Sequence, residues 1–236
     1  ERIVYSAASG RQQKLYTASA LKLKEALAGG AWSGNGKLEV LSQLMRLRQI
    51  CCDPALCFED YTGESAKLET CVSLIASASA AGHKILLFSQ FASMLERIRE
   101  RLLQEGISSH LLVGATPKEE RSRMVQAFAS DEVPVFLISL KAGGTGLNLT
   151  AADIVIHYDP WWNVAAQNQA TDRAYRIGQE KPVTVYKLIL KDTIEENLLK
   201  LQNAKLALAA QVVSEGMVSL GDLSQNELME LFEQNP

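Results

Sequence analysis

From residue 65 onward, short continuous apolar runs alternate with helical stretches, and that alternation limits the chain to very few architectures. The runs are KILLFS at 84–89, HLLV at 110–113, VFLIS at 135–139, DIVIH at 153–157 and VTVYKLI at 183–189. A strand wetted on one side alternates apolar and polar residues; an unbroken run suits a strand covered on both faces, as in a parallel sheet. The stretches between carry helix punctuation. Residues 91–105 are followed by Gly106, and Thr116-Pro117-Lys118-Glu119 reads as a capping box with proline at the first helical position. Asn163 stands where it can cap a helix running to Ile177 and stopped by Gly178. Parallel strands need crossovers, which are right-handed and place helices on both faces. The predicted fold class is α/β: a three-layer domain with a mainly parallel sheet over residues 65–191.

The flanks read differently. Residues 1–57 read as helical, with a first stripe of Leu15, Leu21, Leu23 and Leu27 between residues 5 and 28. A loop at 28–37 leads to a second amphipathic helix at 38–50, carrying Leu41, Leu44, Met45 and Leu47. Residues 58–64 read as a linker, and 192–236 as helices bracing the domain.

Composition excludes several classes. No apolar run approaches the roughly 20 residues of a membrane span. The start ERIVYSAASG lacks the basic and apolar regions of a signal peptide. The four cysteines, Cys51, Cys52, Cys57 and Cys71, form no CxxC pair and have no histidine spaced near them. Buried thiols of a reducing compartment fit better than a zinc site, and no metal site is expected. The net charge is −3, from 24 basic and 27 acidic residues. Binding of nucleic acid by blanket electrostatics would need a basic chain, so any such contact must be local, through loop amides, helix N-termini and a few side chains.

In open α/β sheets the ligand site lies beyond the C-terminal ends of the strands. Three segments fall there. In DPWWNVAAQNQATDRAYRIGQ, residues 159–179, Gln169, Arg173 and Arg176 are spaced i, i+4 and i+7, which shares one helical face. Two guanidinium groups on one stripe suit phosphate, but the spacing fits at least as well a solvated face with Asp172 and Glu180 as partners. In ISLKAGGTGLNLTAAD, residues 138–153, Gly143, Gly144 and Gly146 would let backbone approach a ligand closely, while Thr145 and Asn148 add neutral polar groups. A tight strand-to-helix turn explains the same glycines. Third, Ser89 and Gln90 end the first run, and the loop GATPKEER offers Gly114, Thr116 and Arg121 around a helix N-terminus. No phosphate-binding loop is present: AWSGNGKL at 31–38 has alanine at the first glycine position, leucine at the hydroxyl position and no strand before it. No acidic pair follows an apolar run, and no nucleophile elbow occurs.

Together and in order, these motifs resemble the C-terminal RecA-like lobe of Swi/Snf-type ATPases of helicase superfamily two, over nearly the whole chain. KILLFSQF is similar to helicase motif IV, ISLKAGGTGLNLTAAD to motif V and QATDRAYRIGQ to motif VI. RQQKLY resembles the stretch leaving the first lobe, LRQICCDP and SAKL the entry to the second, and TIEENLLKLQNAK the brace helix. Tyr175 and Val164 depart from the histidine and proline usual at those positions.

The resemblance implies one half of an ATP-dependent translocase on double-stranded DNA, a DNA-dependent ATPase in which strand separation is not expected. Arg173 and Arg176 would be arginine fingers reaching ATP held by the N-terminal lobe of the same polypeptide. Gln169, Gly144, Gly146, Asn148 and Asp172 would line the interlobe cleft. Ser89, Gln90, Gly114, Thr116, Arg121, Lys141, Gly143, Thr145, Trp161 and Trp162 would face DNA. ATP and Mg2+ would be held mainly by the absent lobe with its Walker A and B motifs, so this fragment is expected to be inactive alone, monomeric, and without tight ligands. A bacterial cytoplasmic, nucleoid-associated source is expected, or a nuclear one if eukaryotic. The competing readings are a non-catalytic DNA-binding or interaction module of the same fold, and a dinucleotide or nucleotide-sugar enzyme using the glycine turn.

Overall fold

The computed structural model describes residues 1–8, 10–30, 36–140, 142, 149–161, 163–175, 179, 181–209, 228–229 and 232. Six strands form one sheet: β1 (Arg2–Ser6), β2 (Ile85–Ser89), β3 (Ser109–Leu112), β4 (Val135–Ser139), β5 (Ile154–His157) and β6 (Thr184–Leu190). Their order is β1-β6-β5-β2-β4-β3. The pairs β2–β4, β2–β5, β3–β4 and β5–β6 are parallel. Every residue of β2, β4 and β5 is buried, which is why those runs carry no polar alternation. The sheet is thus the mainly parallel one expected, flanked by α3 (Ala66–Ala80), α4 (Ala92–Gln104), α5 (Lys118–Ser130) and α6 (Val164–Thr171).

Two expectations at the edges need correction. Residues 2–6 are a strand, not the start of a helix; α1 begins at Gly10 and runs Gly10–Ala28. RIVYS is mostly exposed apart from Ser6, as befits an edge strand rather than an apolar run. Within α1 the buried stripe is Gln12, Tyr16, Leu23 and Leu27, while Leu21 is exposed. Helix α2 (Gly36–Cys52) likewise buries Val40, Leu44, Leu47 and Ile50 but leaves Met45 at the surface. The stop at Gly106 is as expected: its φ of 73° is open to glycine at little cost, and Ile107 N–H returns to Leu102 O at 2.9 Å.

The chain divides into two compact units. One comprises Glu1–Val4, Leu68–Trp161 and Ala165–Leu188; the other comprises Tyr5–Lys67, Trp162–Val164 and Ile189–Pro236. The core of the first is Leu86, Phe88, Leu112, Phe128, Phe136, Ile138 and Val155 with their neighbours, and the rings of Phe128 and Phe136 lie 5.2 Å apart. At the end of α5, Lys84 Nζ donates to the carbonyls of Phe128 and, at 2.7 Å, Asp131, a cation where helix carbonyls lack partners.

The second unit is built on α1, α2, a short turn at Pro54–Leu56 and α7 (Ile194–Ala209). Asp53 closes that turn by accepting Ala55 N–H at 2.9 Å. At its centre lies a polar network. Lys67 Nζ sits 2.6 and 2.8 Å from the two carboxylate oxygens of Glu195, with both side chains essentially inaccessible. Glu195 also accepts Leu190 N–H at 2.9 Å, and Tyr16 Oη accepts Ile194 N–H at 2.6 Å. Burial pushes the Tyr16 phenol and the Cys51 thiol well up, so both stay neutral. Cys51, Cys52 and Cys71 are buried and Cys57 is half-buried, and none of the four is in a disulfide, in keeping with structural thiols. No helix among the described residues is long and apolar enough to cross a membrane.

Candidate functional site

The strand order reverses around β2, with β4 and β3 on one side and β5 and β6 on the other. At such a switch point the strand ends open a crevice. Ser89 ends β2, Ser139 ends β4, and His157 ends β5 ahead of Tyr158 and Asp159. Ladder-like bonds continue past the strands: Leu140 N–H to Ser89 O at 3.0 Å and Tyr158 N–H to Phe88 O at 2.9 Å.

Asp159 is the hub of this edge. It is 2% exposed, and Ser89 is fully buried. Ser89 Oγ donates to Asp159 Oδ1 at 2.5 Å, and Gln90 Nε2 donates to Asp159 Oδ2. The Gln90 N–H lies 3.3 Å from Oδ1, and Ser89 Oγ in turn accepts Phe91 N–H at 3.1 Å. A buried carboxylate is tolerated because charge-assisted donors replace its water. Ser89, expected to face DNA, instead has its hydroxyl sealed inside, where it holds Asp159. Sequence reading missed Asp159, although a carboxylate two residues past the apolar run DIVIH, level with the SQ that ends its neighbour, was the available signal. Asp159→Ala should lower folding stability by roughly 3 kcal/mol in urea denaturation, because it strands several buried donors. Asp159→Asn, which keeps an acceptor oxygen, should lose less than half of that.

A second buried group, His157, ends β5. His157 is stacked on Phe88, with ring centroids 5.8 Å apart, and its Nε2 lies 2.9 Å from Thr171 Oγ1. Burial, with a smaller effect of Lys187, pushes the imidazole pKa from 6.5 down to about 3. Below 6.5 the unfolded chain takes up a proton that the folded chain refuses, so stability falls as pH drops through that window. Between pH 7 and pH 5 the wild type should lose about 2 kcal/mol more than His157→Gln in paired denaturation curves. Equal losses would show that His157 is protonated in the fold.

The loop of residues 114–121 is stitched to itself. Arg121 Nε donates to Thr116 O at 2.8 Å and its NH2 group to Gly114 O at 2.9 Å. Thr116 Oγ1 accepts Val113 N–H at 3.1 Å, and Pro117 stands at the N-cap of α5 without a side-chain cap. The expected capping box is therefore not formed: Thr116 closes the preceding turn instead of the helix.

The arginine segment also departs from its expected geometry. α6 ends at Thr171, and residues 172–175 form a turn. Gln169 and Asp172 are exposed, whereas Arg173 is only 5% exposed. Gln169 and Arg173 thus do not share one helical face. After Thr171 the bonding tightens, with Arg173 N–H to Ala170 O at 3.3 Å and Ala174 N–H to Thr171 O at 3.0 Å, and the next carbonyls are held from elsewhere in the chain. Leu149 N–H donates to Arg173 O at 3.1 Å, and Gln179 Nε2 reaches Ala174 O at 3.3 Å. Trp161 is half-buried against the core, and its backbone N–H donates to Gln167 Oε1 at 3.2 Å. Arg176, Trp162, Lys141, Gly143, Gly144, Thr145, Gly146 and Asn148 lie outside the described residues, as does the expected stop at Gly178. Among the described residues no group of three or more His, Cys, Asp or Glu could hold a metal ion.

Sheet order and buried strand ends define a RecA-like helicase lobe. Residues 66–178 match the helicase conserved C-terminal domain family. The C-terminal domain of the Sulfolobus solfataricus SWI2/SNF2 ATPase is 31% identical with a TM-score of 0.79, covering 99% of this chain and 98% of that one. The SWI2/SNF2 ATPase core of the same organism, solved in complex with dsDNA, is 34% identical with a TM-score of 0.81, covering 98% of this chain and 49% of that one. The ATP-dependent helicase/translocase candidate YwqA of Bacillus subtilis is 44% identical over 205 residues, 83% of this chain and 22% of its own length. The chain belongs to the SWI2/SNF2 ATPase family, of which it represents the C-terminal helicase domain. It spans about a fifth of the length of the curated relatives it matches.

Proposed function

We propose that this domain is the second half of an ATP-driven translocase on double-stranded DNA, supplying an arginine finger and DNA-tracking loops to a motor completed by an N-terminal lobe. The observation that carries the reading is the stitching of two segments at the crevice. Leu149, just after the glycine-rich loop, donates to the Arg173 carbonyl, so the segment that would meet DNA and the segment that would meet ATP are fixed to each other. In the family's two-lobe arrangement, ATP binds the N-terminal lobe and closure brings the motif VI arginines to its γ-phosphate. Such a group stabilises charge developing on the transferring phosphoryl.

Arg176 takes the finger role in this reading. Arg173, buried as placed, reaches the phosphate only if the turn at 172–175 rearranges on closure. Gln169 and Asp172, exposed beside it, would meet the first lobe with Gly144, Gly146 and Asn148. Lys141, Gly143 and Thr145, with Gly114, Thr116, Trp161 and Trp162, would follow the phosphates of one strand. Arg121 and the Ser89–Gln90–Asp159 cluster would shape those loops from behind. With a net charge of −3, such contacts are local, and salt should weaken them less than for a basic protein. ATP turnover by the full-length protein, titrated with duplex DNA, tests the reading. Stimulation of tenfold or more by duplex, exceeding that by single strands, is expected; turnover indifferent to DNA would overturn it.

A further inference from the structure

We infer that Gln179 is a positioning residue that couples the glycine-rich segment to the arginine-bearing turn; this rests on the function proposed above. Its amide is placed where three carbonyls converge. Nε2 lies 2.7 Å from Ala152 O, 3.0 Å from Thr150 O and 3.3 Å from Ala174 O. Oε1 accepts Lys181 N–H at 2.9 Å, which fixes which end of the amide faces inward. Two of the carbonyls follow directly on residues 141–148, and the third adjoins Arg173. The side chain is half-buried, so these acceptors are only partly open to water.

Two stitches among the described residues join residues 149–152 to residues 173–174. One is the backbone bond from Leu149 to Arg173, which side-chain substitutions other than proline leave in place. The other is the Gln179 side chain, and it can be removed without altering backbone chemistry. An amide with two protons shared among three carbonyls holds both strands of the crevice edge at one spacing. Without it, the Ala174 carbonyl loses the amide that ties it to residues 150–152, and the turn carrying Arg173 shifts relative to the loop expected to meet DNA. Coupling between sites needs a physical element that both sites bias, and this clamp is the connection that side-chain chemistry provides here.

The test uses the full-length protein and the ratio of ATP turnover with saturating duplex DNA to turnover without DNA. A ratio cancels any loss of active protein, so a merely structural defect does not move it. Gln179→Met, of similar length but without hydrogen bonds, and Gln179→Ala should each lower the ratio at least fivefold. Gln179→Asn, one methylene short, should also lower it, and it carries the test if the other two do not fold. A ratio within twofold of wild type in a folded variant would overturn the inference. Arg176→Ala in the same assay keeps the two ideas apart. Retained hydrolysis there defeats the finger reading, whereas an unchanged ratio in the Gln179 variants defeats only the clamp.

Discussion

Arg176→Ala in the full-length protein should reduce DNA-stimulated ATP turnover by about 10³-fold or more, while nucleotide binding stays within a few-fold of wild type. The magnitude is that of an arginine finger, whose charge acts on the transition state and scarcely on the bound ground state. The expected kinetic signature is therefore a fall in kcat and in kcat/KM together, without a matching rise in KM. Steady-state turnover at saturating duplex, paired with titration of a fluorescent ATP analogue, separates the two quantities. Arg176→Lys should rescue little, since a point charge on a flexible stem does not reproduce a planar fork. Arg173→Ala should behave differently. With Arg173 only 5% exposed, its removal should lower folding stability as well as turnover. Unchanged turnover in Arg176→Ala would remove the finger from the mechanism.

The second large effect concerns the unit around α7. Lys67→Met or Glu195→Gln, made singly, should each destabilise the protein by about 3–5 kcal/mol, because each leaves one buried charge without its partner. The pair is bidentate and inaccessible, and Glu195 also holds the Leu190 amide. The double substitution should recover much of the loss, since removing both charges also removes the cost of burying them. Urea denaturation of the two single variants and the double variant closes the cycle. Additive losses would mean that the two charges do not compensate each other in the fold.

How much could be read beforehand depended on which forces set each feature. β2, β4 and β5 were legible because a strand buried on both faces must be apolar throughout, and LLF, VFLIS and IVIH announce that locally. β1 was not legible, because RIVYS is an exposed edge strand whose state depends on β6, over 180 residues away. The end of α6 was missed for a related reason. Nothing in ATDRAY breaks a helix; the segment instead tightens into a turn whose Arg173 and Ala174 carbonyls are bonded by Leu149 and Gln179, partners distant in sequence or outside the helix. Thr116 carried the composition of a helix cap, yet its hydroxyl closes the turn at Val113, and choosing between two nearby amides is a matter of geometry. The residue types of the site were largely visible as motifs. Their partners were not, since Ser89 and Gln90 meet Asp159 only once β2 and β5 lie side by side.

Movement along DNA is tested most directly by displacement of a triplex-forming strand from duplex DNA by the full-length protein. An ATP-driven translocase should release the third strand with ATP, fail to do so with a non-hydrolysable analogue or with Arg176→Ala, and leave the underlying duplex paired. Brisk DNA-stimulated ATP hydrolysis with no release of the third strand would contradict it.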